Sequence, residues 1–99
     1  MNELKTIRKA SVVDARTETE NATYNVRYQY DEYDGQKSLQ AVHVDIAEMT
    51  EGQLTNVGSM DYNSDQISMS GFPYSDKTTT YMSEFAEIVE KIKETINKG

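Results

Sequence analysis

His43 is the residue best suited by type to chemistry near neutral pH, and it is the only histidine in the chain. Its imidazole can act as a general acid or base. No serine or cysteine motif accompanies it, and the predicted strand pairing places its side chain away from the helix, near Asn25, Arg27 and Asp45. We therefore expect an exposed histidine in a small polar group, without a catalytic role.

Asp61, Asn63 and Asp65 repeat the D-x-N-x-D opening of a calcium-binding loop. The rest of that motif does not follow, because Gln66 occupies the place of the sharp-turn glycine and Phe72 that of the bidentate glutamate. We interpret the three residues as turn formers. The chain has no cysteine, which excludes thiolate chemistry and cysteine-based zinc sites. We predict no metal and no cofactor.

Three carboxylates, Asp31, Glu32 and Asp34, surround the tip of the first predicted hairpin. A catalytic carboxylate pair needs a cleft that raises one pKa, whereas a hairpin tip lies in water. We expect a solvated charge cluster in which Asp31 faces Lys37 across the hairpin.

Seven tyrosines are a visible enrichment in 99 residues. Tyr24 and Tyr28 fit the buried side of a strand. Three others are predicted at turns or strand ends, where an amphipathic ring can serve recognition: Tyr33, Tyr62 and Tyr74. The candidate interaction surface predicted from the sequence joins these three to Arg27, His43 and Asp45.

The clearest element that positions these residues is a C-terminal amphipathic helix. Its apolar residues recur at steps of three and four, the spacing of one helical stripe: Phe85, Ile88, Val89, Ile92 and Ile96. Charged residues fill the other side. We expect the threonine run 78–80 to supply the N-cap and Glu84 to lie near the positive end of the helix dipole.

Two upstream segments alternate apolar and polar residues, as half-buried strands do. Their apolar rows are Tyr24, Val26, Tyr28 and Tyr30, followed by Val42, Val44 and Ile46. A two-residue turn at Asp34-Gly35 would point the two rows to opposite faces of the sheet. We therefore predict a three-residue loop over 33–35, which sets Val26 opposite Val42.

The next hairpin repeats this pattern, with glycine third in a predicted three-residue loop over 50–52. In that register Val44 pairs with Gly58, and a glycine in mid-strand leaves room for a large helix residue such as Phe85. A further strand is expected over 66–72.

The amino-terminal segment is less distinct. Ile7, Val12 and Val13 suggest a first strand, although Leu4 and Ile7 also suit a short helix. The whole pattern predicts one α+β domain over residues 1–99: an antiparallel meander sheet of four to five strands with one C-terminal amphipathic helix packed on one face.

Charge and hydropathy restrict the partners. The chain carries 17 acidic and 10 basic residues, a net charge of −7, and this sign opposes binding to nucleic acid. No stretch has the roughly 20 apolar residues of a membrane span, and residues 1–10 lack the apolar core of a secretory signal. We expect a soluble, cytoplasmic protein.

These observations favour a non-enzymatic protein-interaction module, either a homo-oligomer or the binding partner of another protein. The sheet face away from the helix is predicted to carry Arg27, Ala41, His43, Asp45, Val57, Ser59 and Ser68. Two alternatives remain open: a small-molecule-binding or catalytic domain with a pocket between helix and sheet, and an inhibitor or immunity-type protein that neutralises a basic enzyme.

Overall fold

The computed structural model describes residues 8–63, 65–72 and 75–98. Five strands form one antiparallel meander sheet in the order β1-β2-β3-β4-β5. The elements are β1 (Arg8–Glu18), β2 (Thr23–Tyr33), β3 (Gln36–Thr50), β4 (Gln53–Asn63), β5 (Gln66–Ser70) and α1 (Thr78–Lys98). The predicted α+β architecture is confirmed, and the amino-terminal segment is a strand from Arg8 onward. Leu4 and Ile7 lie outside the described residues.

The β2–β3 and β3–β4 hairpins both close with two-residue turns, so the predicted three-residue loops are wrong. Tyr33 pairs with Gln36 across one turn, and Thr50 pairs with Gln53 across the other. The turn residues have positive φ angles: 53° and 81° for residues 34 and 35, and 51° and 82° for residues 51 and 52. Such turns match the right-handed twist of the flanking strands.

The apolar rows nevertheless share one face, because each of these two hairpins contains a bulge. The register shifts by one residue at Gln40 in β3 and again at Val57 in β4. An extra residue reverses the side-chain alternation, and so it corrects the mismatch that a two-residue turn would create. Val26 therefore lies opposite Val44, and Val57 packs beside the core instead of on the uncovered face.

The core lies between α1 and the middle of the sheet. Val42 and Val44 are 1% and 0% exposed, and Phe85 is 0% exposed. All three belong to one apolar cluster that also contains Val89 and Ile92. The predicted helix stripe and the predicted apolar side of the sheet are therefore confirmed as partners. Among the described residues, no helix covers the opposite side of the sheet.

Gly58 accommodates Phe72, where the sequence suggested Phe85. A Cβ atom at Gly58 would lie 2.7 Å from two carbons of the Phe72 ring, so the aromatic ring occupies the space that a side chain would need. The Phe72 ring also packs against Tyr81, with ring centroids 5.7 Å apart. This stack joins the chain after β5 to the first turns of α1.

The helix begins at Thr78, the first residue of the threonine run, so the predicted threonine N-cap is wrong. Thr78 is already helical, and Ser75 fixes the approach to the helix by accepting bonds at 3.3 Å from the N–H groups of Lys77 and Thr78. The Lys77 ammonium pairs with the Glu48 carboxylate at 2.6 Å. The start of α1 is thereby tied to β3.

Candidate interaction site on the open face of the sheet

One row of side chains crosses all five strands on the side opposite α1, which we call the open face. Cross-strand pairing aligns Asp14, Arg27, His43, Asp61 and Ser68. Side chains alternate along a strand, and the neighbours of these residues in β2, β3 and β4 point into the core. The alternation that builds the core therefore also delivers this polar row to the open face.

Asp14 and Arg27 form a two-pronged ion pair at one end of the row. Arg27 Nε donates to Asp14 Oδ1 at 2.7 Å, and the second contact to Oδ2 is 3.3 Å. The hydrogen bond from Arg27 lowers the pKa of Asp14, and the same bond raises the pKa of Arg27. Forked geometry of this kind fixes the direction of both side chains.

His43 is held between two carboxylates. Its Nδ1 lies 2.7 Å from Asp61 Oδ1, and its Nε2 lies 3.2 Å from Asp45 Oδ1. An imidazole donates from both nitrogens only when it is protonated. The hydrogen bond to Asp61 raises the pKa of His43 against the opposing effect of burial, and Asp45 adds to the rise. The geometry thus favours the imidazolium.

This arrangement opposes catalysis by His43. A general base must offer a free nitrogen to a substrate or nucleophile, and both nitrogens already face carboxylates. Ser59 pairs with Asp45 and Ser68 with Asp61 across the strands, so each serine lies beside an acid. The nucleophile–histidine bond of a catalytic triad is not formed.

A shallow depression of about 370 Å³ lies on the open face. Members of both ion-pair groups line it, together with Asn25: Asp14, Arg27, His43 and Asp45. Arg16 borders the same region, because its Nε donates to Asn25 Oδ1 at 2.9 Å. The structure therefore brings together Arg27, His43 and Asp45, three of the six residues of the predicted surface.

The tyrosines of that predicted surface do not join them. Tyr33 ends β2 and is 63% exposed. Tyr62 lies near the end of β4 but is only 8% exposed; its hydroxyl donates to Asp65 at 2.8 Å, and the Lys93 ammonium lies 5.3 Å from the centre of its ring. Tyr74 lies outside the described residues. The part of the predicted surface that the structure brings together therefore consists of charged and titratable side chains.

The calcium-like motif is divided between the two sides of the sheet. Asp61 binds His43 on the open face, whereas Asp65 accepts a hydrogen bond from Tyr62, whose ring belongs to the core. Their oxygens therefore serve different partners and do not converge on one cation. Among the described residues, no cluster of three histidine, cysteine, aspartate or glutamate side chains is arranged to hold a metal ion.

Asp31 departs from the predicted solvated cluster at the hairpin tip. It is 7% exposed and lies opposite Ser38. Lys37 lies opposite Glu32 instead, because the turn has two residues and not three. The hairpin tip therefore contains one buried carboxylate.

Glu84 forms a polar cluster that pattern analysis missed. Its carboxylate accepts hydrogen bonds from the hydroxyls of Thr19 and Tyr24 and from Asn21 Nδ2, the last at 3.2 Å. Burial raises the pKa of Glu84, but the three bonds outweigh it and the pKa is lowered. Burial, together with the bond to Glu84, raises the pKa of Tyr24. A tyrosine in an apolar row needs a hydrogen-bond partner for its hydroxyl. This requirement was the signal in the sequence that a polar group lies near Tyr24.

A second concavity lies between α1 and β1 on the helix side of the sheet. This groove has a volume of about 340 Å³. Its apolar lining includes Ala15, Val26, Tyr28, Ile88 and Ile92. All of its lining residues come from β1, β2, the β1–β2 turn and α1, so the side beyond β1 has no wall among the described residues.

Across the described residues, no helix is long and apolar enough to cross a lipid bilayer. Comparison with known protein families, curated proteins and solved structures finds no match to this chain.

Proposed function

We propose that this chain is a non-enzymatic protein-interaction module that binds a partner protein through the open face of its sheet. The observation that carries this proposal is the cross-strand row in which Arg27 and His43 are each held by carboxylates. The strands and the ion pairs themselves hold these charged side chains in place. A partner that meets them therefore has little side-chain ordering to impose, which lowers the entropic cost of binding.

The balance of charge on the open face favours a partner with a polar surface over a strongly basic partner. In the central row, two cations lie between two carboxylates when His43 is protonated, and Asp45 adds one further acid. A strongly basic enzyme would require an excess of carboxylates here. The chain's net charge of −7 is therefore carried mostly by other surfaces, and the inhibitor role is less well supported than a partner of alternating charge.

Affinity capture from the native host with matched variants tests the proposal. We expect one saturable protein partner whose binding weakens about 30-fold or more with Arg27→Ala, the scale of an interface hot spot. Lys91→Ala is the control, because it removes the same charge from an exposed position on α1, across the sheet from the row. Equal loss in both variants, or no loss in either, would contradict binding through the open face.

The groove between α1 and β1 supports a second candidate function, the binding of a small apolar molecule. Its volume of about 340 Å³ is within the range of ligand sites, and its lining is aliphatic and aromatic with Glu87 and Lys91 among its charged residues. A fragment screen followed by methyl chemical shifts tests it. Binding should shift the Ile88 and Ile92 methyls and should be lost in Ala15→Phe; a screen without such shifts eliminates this function.

A further inference from the structure

Among the described residues, no strand pairs with the outer edge of β1. β1 has 11 residues and one neighbour in the described sheet, β2. The strand at the other edge, β5, has only five residues. An edge strand presents unpaired N–H and C=O groups that can bind another strand.

Three common protections of a strand edge are absent from residues 11–17 of β1: proline, a β-bulge and inward-pointing charge. The strand contains no proline, and its pairing with β2 runs from Arg8 to Glu18 without a bulge. Inward-pointing charge is another common protection. The β1 residues on the helix side from 11 to 17 are uncharged: Ser11, Val13, Ala15 and Thr17. Over these positions, inward-pointing charge therefore does not oppose the approach of a second strand.

The charge of β1 differs from that of the chain. β1 contains three basic residues, Arg8, Lys9 and Arg16, against two acidic ones, Asp14 and Glu18. Its formal charge is therefore +1, whereas the chain carries −7. The edge strand β1 therefore lacks the acidic excess that makes two copies of the chain repel each other.

We propose that two copies of this chain form a symmetric dimer in which β1 pairs antiparallel with β1 of the second copy, with the two-fold axis at Ala15. In this register Asp14 faces Arg16 of the second copy, and the symmetry makes the contact twice. Val13 faces Thr17 of the second copy. An axis at Asp14 or at Arg16 would instead place two like charges opposite each other, which disfavours those registers.

Contacts within each copy prepare this pairing. Asp14 is held by Arg27 at 2.7 Å, and Arg16 is held by Asn25 at 2.9 Å. Both bonds run to β2 and hold each side chain on the open face. Dimerisation would extend the polar row, with Asp14 between Arg27 of its own copy and Arg16 of the other.

The dimer also supplies the missing side of the groove. A two-fold axis perpendicular to the sheet keeps the two α1 helices on the same side. The second copy would then flank the groove beyond Ala15, where no described element provides a wall. The inference therefore adds a second surface to the proposed function and is tested separately from it.

Charge reversal tests the register directly. Light scattering and sedimentation of the wild-type chain should show a dimer that dissociates on dilution. Arg16→Asp and Asp14→Arg should each weaken self-association roughly tenfold or more, because like charges then meet across the axis. An equimolar mixture of the two variants should recover association, since each mixed dimer contains two opposite-charge contacts. Circular dichroism of each variant checks that it is folded.

A cysteine scan locates the axis independently. The chain has no cysteine, so Ala15→Cys introduces the only thiol, and on the axis it meets its own copy at a distance that suits a disulfide. Val12→Cys is the control, because Val12 is 61% exposed but would face Glu18 of the second copy. We expect rapid oxidation to a covalent dimer with Ala15→Cys alone.

A chain that stays monomeric up to near-millimolar concentration overturns the dimer, as does equal cross-linking of both cysteine variants. A monomer that still binds its partner through Arg27 would refute the dimer while leaving the proposed function in place. Conversely, a dimer whose open-face variants bind normally would refute the proposed function alone.

Discussion

Gly58→Ala should destabilise the fold far more than a typical glycine substitution. Gly58 has φ of 146°, a conformation that L-residues rarely adopt. An added Cβ would lie 2.7, 2.7 and 2.9 Å from three carbons of the Phe72 ring. Ordinary carbon contacts are about 3.5–4.0 Å, so the ring would have to move by about 1 Å. That movement would disturb the stack of Phe72 on Tyr81.

Two energetic costs, backbone strain and overpacking, set the expected loss of stability in Gly58→Ala. The backbone strain of a non-glycine residue at such an angle costs about 1–3 kcal/mol, and overpacking a well-filled site costs about 1–3 kcal/mol more. Gly58→Ala should therefore lower the free energy of unfolding by about 2–6 kcal/mol. In a domain of this size the midpoint of thermal unfolding should fall by roughly 10 °C or more.

Urea denaturation followed by circular dichroism separates the two terms. Gly35→Ala is the control for strain alone, because Gly35 has φ of 81° and no atom within 4 Å of the added Cβ. Phe72→Ala removes the ring, so Gly58→Ala should cost about 1–3 kcal/mol less in that background. Additive costs in the double variant, or equal costs at Gly35 and Gly58, would refute the steric reasoning.

Three further predictions concern titratable and hydrogen-bonding groups. The raised pKa of His43 means that its ion pairs add stability that is fully present below the unfolded value near 6.5 and is lost as pH rises through the folded pKa. His43→Gln should thus lower the free energy of unfolding by about 0.5–1 kcal/mol at pH near 6 and by less in alkali. Urea denaturation at both pH values measures this. A larger loss in alkali would contradict ion pairs that depend on a protonated His43. Tyr24→Phe should cost about 1.5–3 kcal/mol, whereas Tyr33→Phe at an exposed position should be near neutral in the same assay. The lowered pKa of Glu84 gives stability that is present above the unfolded value and is lost as pH falls through the folded pKa, so Glu84→Gln should destabilise less in acid than at neutral pH.

The protonation of His43 also bears on binding. A partner that accepts hydrogen bonds from this part of the open face would meet an imidazolium already shared by Asp45 and Asp61. A partner that competes for His43 must therefore displace a carboxylate. This requirement favours partners that supply their own cations to Asp45 and Asp61.

The sequence was sufficient for the C-terminal helix, for β2 and β3, and for the buried side of each of these elements. The spacing of Phe85, Val89 and Ile92 defined the helix stripe, and the alternation around Val26 and Val44 defined the strands. Both patterns depend on local geometry, the 3.6-residue turn of a helix and the two-residue repeat of a strand. For the same reason His43 was correctly placed beside Arg27 and Asp45, away from the helix.

The tertiary structure alone decided the register and the polar partners. The sequence favoured three-residue loops because such loops place the two apolar rows on the same face of the sheet. A two-residue turn with a bulge at Gln40 has the same effect. Alternation fixes only whether a register is even or odd, so these solutions differ by two residues and are indistinguishable in sequence. Asp61 reaches His43, and Glu84 reaches Tyr24, across 18 and 60 positions of the chain. Contacts between such distant residues follow from the packing of whole elements, which no local pattern encodes.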